Sequence, residues 1–254
     1  MRSMESKPIF GAKMTPATPH TDQQLRQLEQ RLTPSTRREA INAASRLGWR
    51  LSRRAGAVAK RVLDILIACG VLLPALPVMG LAAILIKLTD RGPVLFWQTR
   101  VGKWGQVFRF PKFRSMVVNA EALQQKIMSA NQHGDGITFK IKRDPRITWI
   151  GRILRKTSID ELPQLWCVLR GDMSLVGPRP ALEKEVARYS LDDRRRLDAI
   201  PGLTCTWQVS GRSEIPFPQQ VKLDAEYIEK QSLREDFKLL LRTIPAVVTG
   251  RGAY

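Results

Sequence analysis

The stretch ILIACGVLLPALPVMGLAAILI, residues 65–86, decides the fold because it contains no charged side chain. An apolar run of this length can cross a bilayer as one helix. Pro74 and Pro77 lie near its middle, and proline removes a helical hydrogen bond and clashes with the preceding turn. Each half provides about ten residues, or roughly 15 Å of helix, which reaches half-way through the hydrocarbon. The run therefore predicts a membrane helix that is broken at the two prolines.

Both flanks of this run are basic. Positive residues precede it (Arg46, Arg50, Arg53, Arg54, Lys60, Arg61) and follow it (Lys87, Arg91, Arg100, Lys103). Positive residues prefer the cytoplasmic side of a membrane. A re-entrant helix over residues 61–89, which enters and leaves on the cytoplasmic face, satisfies both flanks, whereas a straight span places one of them outside. A proline-kinked spanning helix is the alternative, and a soluble core helix is disfavoured because the run is apolar on all sides.

The composition indicates an anionic partner. The 254 residues include 42 Lys and Arg against 23 Asp and Glu, which gives a net charge of +19. Such a surplus is typical of proteins that bind nucleic acid, anionic lipid or phosphorylated substrates, and the simpler alternative is a basic surface that maintains solubility. The cysteines, Cys69, Cys167 and Cys205, have neither disulfide nor zinc-site spacing, which favours a reducing compartment.

The sequence outside the apolar run divides into three parts. Residues 1–35 are polar, lack a signal peptide and are predicted to be disordered apart from a weak helix in DQQLRQLEQRL. Residues 36–60 carry apolar side chains at helical spacing opposite arginines, which predicts an amphipathic helix. That helix either lies at the interface of an anionic membrane or packs on the folded domain. Residues 90–254 are predicted to form that domain.

The folded domain is predicted to be α+β and mainly helical, with one β-hairpin. The alternating segments PVLFWQTRV (93–101) and QVFRFPKFRSM (106–116) flank a GKWG turn, and Pro111 indicates an edge strand or a bulge. Helices are predicted at about 119–130 and 223–248. A mobile loop is predicted at 131–136, followed by a short strand, ITFKI, at 137–141.

The segment RKTSIDELPQLWCVLRGDMSLVGPRP, residues 155–180, places two acids among cations. Ser158 and Glu161 have capping-box spacing, so Asp160 and Glu161 are predicted at the start of a helix, where acids usually serve only as caps. The surrounding cations are Arg155, Lys156, Arg170 and Arg179. Together they could hold a diphosphate by charge-assisted hydrogen bonds.

This combination has the chemistry for phosphate transfer. An aspartate can attack phosphorus to give an acyl phosphate, and paired carboxylates can bind Mg²⁺ together with substrate phosphates. Structural alternatives exist for each part. The GPRP turn could be a rigid surface turn, and Lys112 and Arg114 could belong to a salt-bridged strand. Asp64 could simply cap the membrane helix or neutralise Arg61.

Taken in order, the motifs of this chain resemble those of the bacterial sugar transferases, also called polyprenyl-phosphate hexose-1-phosphate transferases or monotopic phosphoglycosyl transferases. The resemblance covers residues 60–254 and includes KRVLD (60–64), GPVLFWQTRVG (92–102), KFRSM (112–116), DPRITWIGRILRKTSIDELPQLW (144–166), GDMSLVGPRP (171–180), PGLTCTWQVSGRS (201–213) and LLLRTIPAVVTGRGAY (239–254). Each motif is weak alone, but the ordered set is highly specific. Without a bundle of N-terminal spanning helices, the chain resembles a short form of the family.

The resemblance implies transfer of a hexose 1-phosphate from a UDP-sugar to undecaprenyl phosphate, with release of UMP and with Mg²⁺ as cofactor. The reaction would begin exopolysaccharide, capsule or O-antigen synthesis at the bacterial inner membrane, with the catalytic domain facing the cytoplasm. Asp160 would be the nucleophile of a ping-pong cycle through a phosphosugar-aspartate. Glu161 would either help Asp160 to hold Mg²⁺ or orient the lipid phosphate.

The resemblance also assigns supporting residues. Arg155, Arg179, Lys112 and Arg114 would contact substrate phosphates, and Lys60, Arg61 and Asp64 match a motif at the mouth of the membrane helix. The expected partners are a UDP-hexose, undecaprenyl phosphate and anionic lipids, and a homo-oligomer is compatible with the sequence. No nucleic-acid partner is expected, because the sequence contains no nucleic-acid-binding motif. The alternative functions are a membrane-anchored nucleic-acid-binding protein and a non-catalytic scaffold.

Overall fold

The fold is taken from a computed structural model, which describes residues 23–24, 26–27, 36–126 and 144–249. Most of the predicted disordered segment 1–35, the loop at 131–136 and the strand at 137–141 lie outside these residues. Contacts divide the chain into two units, residues 1–54 and 55–254. The described part of the first unit is helical, and its apolar side chains Ile41 and Leu47 are exposed.

One long helix, α1, extends from Thr36 to Asp90. It therefore joins the predicted amphipathic segment to the predicted membrane segment. Pro74 and Pro77 lie inside α1, so the two prolines do not end the helix, and the re-entrant course stays a prediction. Among the described residues α1 is the one helix long and apolar enough to cross a membrane, and only 11% of its most apolar window is buried.

Residues 55–90 of α1 belong to the second unit. They contact the rest of that unit on both sides of the two prolines. Ala68 is buried in an apolar cluster with Phe110 and Leu165. Ala82 and Ile86 belong to another cluster, which also contains Phe113 and Ile150. Between these two contacts, no residue from 69 to 81 is buried. The apolar middle of α1 is thus only partly covered by protein, through Leu72 and Met79, while both of its arms contact the clusters.

The predicted β-hairpin is confirmed. Strands β1 (Leu95–Val101) and β2 (Val107–Phe113) are antiparallel and are joined through a short 3₁₀ turn, Lys103–Gly105. Pro111 pairs with Trp97 in the middle of β2. The missing N–H of proline is tolerated because each strand of a two-stranded sheet is an edge strand.

The remaining elements are mostly short helices. In chain order they are α2 (Ala120–Lys126), α3 (Trp149–Lys156), a 3₁₀ helix (Ile159–Gln164), α4 (Leu165–Arg170), β3 (Ser174–Val176), α5 (Glu183–Val186), a 3₁₀ helix (Asp193–Asp198), β4 (Gly202–Thr204), α6 (Thr206–Ser210), a 3₁₀ helix (Arg212–Glu214), α7 (Phe217–Lys230) and α8 (Leu233–Thr249). Strands β3 and β4 pair in parallel. The prediction of a mainly helical domain with a hairpin is confirmed.

The predicted single C-terminal helix at 223–248 was wrong, because two helices occupy this region. Helix α7 ends at Lys230, and Ser232 starts α8. The Ser232 carbonyl accepts a hydrogen bond from the amide of Asp236 at 3.0 Å, and the Ser232 hydroxyl accepts one from the amide of Glu235 at 3.3 Å. Ser232 and Glu235 have the spacing of a capping box, which is a sequence signal for a helix start at this point.

Candidate active site

Asp160 and Glu161 lie in the 3₁₀ helix Ile159–Gln164, between α3 and α4. The predicted capping box is not formed. Ser158 has φ 57° and ψ 17°, a left-handed conformation, and its side chain makes no capping hydrogen bond. A left-handed non-glycine residue costs roughly 1–2 kcal/mol, and such strain is concentrated at functional sites. This conformation turns the chain sharply between α3 and the helix that carries the two acids.

Asp160 is buried, with 9% of its surface exposed. Burial, and then the charge of Glu161, raises the pKa of Asp160 to about 7, against the opposing effect of Arg155, Lys112 and Arg179. Protonated and ionised forms of Asp160 are therefore both populated near neutral pH. A carboxylate in this state is a candidate for chemistry, because structural acids on a surface have no reason to be shifted so far.

The pKa of Glu161 is shifted in the opposite direction, because Glu161 forms an ion pair. Its Oε1 atom lies 2.6 Å from Nη2 of Arg179. Burial opposes ionisation of Glu161, but Arg179, then Lys112 and Arg212, hold the pKa of Glu161 below its usual range. Two adjacent acids thus have pKa values pushed apart, which is the pattern that assigns different roles to a carboxylate pair.

Arg179 is fixed by the turn that follows β3. The amide of Gly177 donates to the carbonyl of Thr204 at 3.1 Å, and the amide of Gly202 donates to the carbonyl of Pro178 at 2.8 Å. A Cβ atom on Gly202 would lie 2.0 Å from the Gly177 nitrogen, so only glycine allows β4 to approach this closely. The turn is thereby clamped against β4, and the Arg179 guanidinium is presented to Glu161.

Lys112 and Arg155 approach the acids from two other elements. Lys112 lies on β2, and burial together with the nearby Arg100 and Arg155 lowers the pKa of Lys112 to about 8. Arg155 lies in the last turn of α3, where its Nε donates to the Ser115 hydroxyl at 2.9 Å. Burial lowers the pKa of Arg155, and Asp160 partly restores it. The structure therefore brings Lys112, Arg155 and Arg179 together around the acids.

Sequence reasoning missed Arg100 as a site residue. Arg100 is half-buried on β1, and its Nη1 donates to the carbonyl of Pro180 at 3.0 Å. Burial, then the charge of Arg179, lowers the pKa of Arg100 to about 10. The signal was present, because the hairpin register pairs Arg100 with Phe108 and Lys112 with Phe96, which puts both cations on one face.

Arg212 is the second residue that sequence reasoning missed. Its Nη2 lies 3.5 Å from the Ser158 hydroxyl. Burial lowers the pKa of Arg212, while Glu161 and Asp160 act in the opposite direction. Arg212 begins the 3₁₀ helix Arg212–Glu214 after α6, far along the chain from the acids, and no local pattern in the sequence connects the two segments.

Other predicted cations have different surroundings. Arg114 pairs with Asp90 at the end of α1 and lies outside the set of charges that acts on Asp160, so its contact with substrate phosphate stays a prediction. Arg170 is largely exposed and pairs with Asp172 at 3.3 Å. Lys156 is exposed at the end of α3. Of the cations close to the acids in sequence, Lys156 and Arg170 therefore do not belong to the cluster around Asp160 and Glu161.

The three residues at the mouth of the membrane segment attach α1 to the domain. Arg61 donates to the carbonyls of Val168 and Leu169, at 2.5 and 2.7 Å, where α4 ends. Asp64 accepts a hydrogen bond from the amide of Leu175 at 3.0 Å. Asp64 is thus bonded to a distant strand of the domain, beyond the local capping role considered for it.

Lys60 completes this attachment. Its Nζ lies 2.5 Å from Oδ2 of Asp236 on α8 and 3.1 Å from the carbonyl of Val176 on β3. Each residue of the motif therefore contacts a different element of the domain: Lys60 reaches α8 and β3, Arg61 reaches α4, and Asp64 reaches β3.

The described residues contain no group of three or more His, Cys, Asp and Glu side chains that could hold a metal ion. Asp160 and Glu161 are the carboxylates of this site, and the neighbouring cations oppose binding of a bare divalent ion. One or two carboxylates do suffice for Mg²⁺ when substrate phosphates supply the other oxygen ligands. The residues present thus fit an Mg²⁺ ion that binds together with a phosphorylated substrate.

Known proteins with similar sequences show the family of this chain. A family model described as bacterial sugar transferase matches residues 55–250. The galactosyl transferase CpsE of Streptococcus agalactiae serotype III is 48% identical over 200 residues, which are 77% of this chain and 43% of that protein. The exopolysaccharide production protein ExoY of Sinorhizobium fredii is 39% identical over 205 residues, 80% of this chain and 91% of that protein.

A third relative carries the substrate in its name. The undecaprenyl-phosphate galactose phosphotransferase of Salmonella typhimurium is 41% identical over 211 residues, 80% of this chain and 43% of that protein. The chain thus spans less than half the length of CpsE and of this phosphotransferase, and nearly the whole of ExoY. By the extent of the match, which includes every element of the candidate site, this chain belongs to the bacterial sugar transferase family.

Proposed function

We propose that this protein is a phosphoglycosyl transferase that moves a hexose 1-phosphate from a UDP-sugar to undecaprenyl phosphate and releases UMP. The observation that carries the proposal is a buried carboxylate, Asp160, with a pKa of about 7 among cations from separate elements. Those cations are Lys112, Arg155, Arg179 and Arg212. The names of the relatives support an undecaprenyl-phosphate acceptor and a role in exopolysaccharide synthesis.

Asp160 is the nucleophile of the proposed reaction. A carboxylate oxygen attacks the sugar-bearing phosphorus, the bond from that phosphorus to the UMP oxygen breaks, and UMP leaves with the bonding electrons. An oxygen of undecaprenyl phosphate then attacks the same phosphorus and releases the Asp160 carboxylate. Both steps spread negative charge over phosphate oxygens, and fixed cations such as Arg155 and Arg179 stabilise that charge without reorganising.

The diphosphate of the bound UDP-sugar would place negative charge next to Asp160. That charge would raise the pKa of Asp160 further. We therefore propose Mg²⁺ as the cofactor, held by Asp160 and Glu161 together with the diphosphate. The ion would neutralise phosphate charge, so that Asp160 stays ionised and can attack. Glu161 has a second function in this proposal, because its Oε1 atom holds Arg179 in place.

The membrane arrangement is also a proposal. Helix α1 would enter the inner membrane and return on the cytoplasmic side, with the catalytic domain facing the cytoplasm. Two observations support it: the arms of α1 on either side of Pro74 and Pro77 are both attached to the domain, and the segment between them is not buried. An acceptor lipid in that membrane would present its phosphate at the mouth of α1.

The experiment is the release of UMP from a panel of UDP-sugars by the full chain in membranes. Asp160→Asn should abolish release while the protein remains expressed, and the panel identifies the sugar. Glu229→Gln is the matched control, because it neutralises an exposed acid that pairs with Arg195 far from the dyad in sequence. Turnover retained in Asp160→Asn would refute the nucleophile. The buried dyad and the family favour this function over a nucleic-acid-binding protein or a scaffold.

A further inference from the structure

The carbonyl of Val176 is held by two side chains from distant parts of the chain. Val176 ends β3 and directly precedes the turn that carries Arg179. Lys60 Nζ lies 3.1 Å from this carbonyl oxygen, and the Tyr227 hydroxyl also lies 3.1 Å from it. Lys60 belongs to α1 and Tyr227 to α7, so the turn is tied to both helices at one backbone atom.

A buried carboxylate closes this arrangement into a ring. Asp236 of α8 lies 2.5 Å from Lys60 Nζ through Oδ2 and 2.6 Å from the Tyr227 hydroxyl through Oδ1. Asp236 and Tyr227 are each 6% exposed. Burial, then the charge of Asp236, raises the pKa of Tyr227, so the hydroxyl keeps its single proton, which the Asp236 carboxylate and the Val176 carbonyl share as acceptors. Removing one member of such a buried network leaves its partners unsatisfied.

The other contacts of α1 act on the same stretch of chain. Arg61 holds the C-terminal carbonyls of α4, and Asp64 holds the amide of Leu175. Helix α4 directly follows the 3₁₀ helix of Asp160 and Glu161. The stretch held by α1 thus begins at the two acids and ends at the Arg179 turn.

We propose that Lys60, Tyr227 and Asp236 are positioning residues that fix Arg179 through the Val176 carbonyl. This inference rests on the proposed function, because Arg179 is assigned there to the transferred phosphate. Because Lys60 belongs to α1, the ring makes the geometry of the Glu161–Arg179 ion pair depend on the position of α1 against the domain. None of the three positioning residues is required to touch the substrate.

The test is a double-mutant cycle on UMP release, with Tyr227→Phe and Arg179→Lys combined in the full chain. Misplacing a binding group lowers turnover strongly, so Tyr227→Phe alone should lower kcat about tenfold. Mutations of residues that act through one another have non-additive effects. In the Arg179→Lys background, Tyr227→Phe should therefore lower kcat by less than about twofold. The conservative Lys60→Arg should retain most of the activity that Lys60→Met loses.

The control is Ser190→Ala. It also removes a hydroxyl, but Ser190 is exposed, and its hydroxyl bonds the Asp193 carboxylate at 2.8 Å and not Val176. Its kcat should stay within about twofold of the wild type. Equal losses for Tyr227→Phe in both backgrounds, or an equal loss for Ser190→Ala, would overturn the proposal, since the ring would then act only on stability.

Two further measurements keep the outcomes distinct. If Tyr227→Phe does not fold, judged by its melting temperature, Asp236→Asn replaces it in the same cycle. Calorimetric titration with UDP measures a dissociation constant without turnover. The effects of Tyr227→Phe and Arg179→Lys on that constant should also be non-additive. A wild-type protein that binds UDP but releases UMP from no UDP-sugar would refute the proposed function, while the binding cycle would still decide the positioning role.

Discussion

Replacing Asp160 with asparagine should stabilise the protein at neutral and alkaline pH. Burial and Glu161 raise the pKa of Asp160 from an ordinary 3.8 to about 7. The folded protein therefore holds this proton up to about pH 7, whereas the unfolded chain loses it near pH 4, so the folded state loses stability as the pH rises through that window. The difference in pKa corresponds to about 4 kcal/mol. Asparagine resembles the protonated acid in shape and carries no such penalty.

The assay is thermal unfolding of the full chain in detergent at a series of pH values. The melting temperature of Asp160→Asn should match that of the wild type near pH 4 and exceed it by about 10 °C near pH 8, since about 4 kcal/mol corresponds to 2–4 °C per kcal/mol in a chain of this size. Glu229→Gln, which changes an exposed acid, should show no such growth with pH. A difference that stays constant from acid to alkaline pH would refute the burial argument.

Three further outcomes are expected. Glu161→Gln should lower the pH midpoint of kcat/KM by roughly one unit, because the charge of Glu161 raises the pKa of Asp160. The pH dependence of kcat/KM reports the pKa values of the free enzyme, so an unchanged midpoint would exclude this coupling. Arg61→Met should lower the free energy of unfolding by about 2–3 kcal/mol, measured as a lower melting temperature, since two carbonyls at the end of α4 lose their donor. Reporter tags at residue 30 and at the C-terminus should both be cytoplasmic, and a periplasmic N-terminal tag would instead favour a spanning helix.

The sequence predicted the elements whose signals are local. The hairpin follows from partial alternation of apolar and polar residues on both sides of a glycine-containing turn, and β1 and β2 begin and end close to the predicted bounds. The apolar run follows from hydropathy alone. The presence of cations near Asp160 was also predicted, because Arg155 and Arg179 belong to the same sequence segment.

The failures arise where distant segments meet or where backbone conformation overrides a pattern. Ser158 has capping-box spacing, but its left-handed conformation removes the geometry that the cap requires. Arg212 contacts Ser158, beside the acids, from a 3₁₀ helix that no periodicity connects to them. Proline in a helical pattern predicts a break, yet α1 continues through Pro74 and Pro77, since losing one backbone donor at each does not by itself end a helix.

The unfavourable features of the site are concentrated in one short stretch, and the attachment of α1 lies beside it. Ser158 is in a strained conformation, and ionised Asp160 is destabilised by burial. Such features persist only when the surrounding structure over-determines them. The hydrogen bonds that Arg61 donates to the end of α4 and that Asp64 accepts from the Leu175 amide of β3 provide that constraint on the C-terminal side of the acids. A catalytic domain from which α1 had been removed would lack these bonds, so α1, the proposed membrane helix, contributes to the geometry of the site.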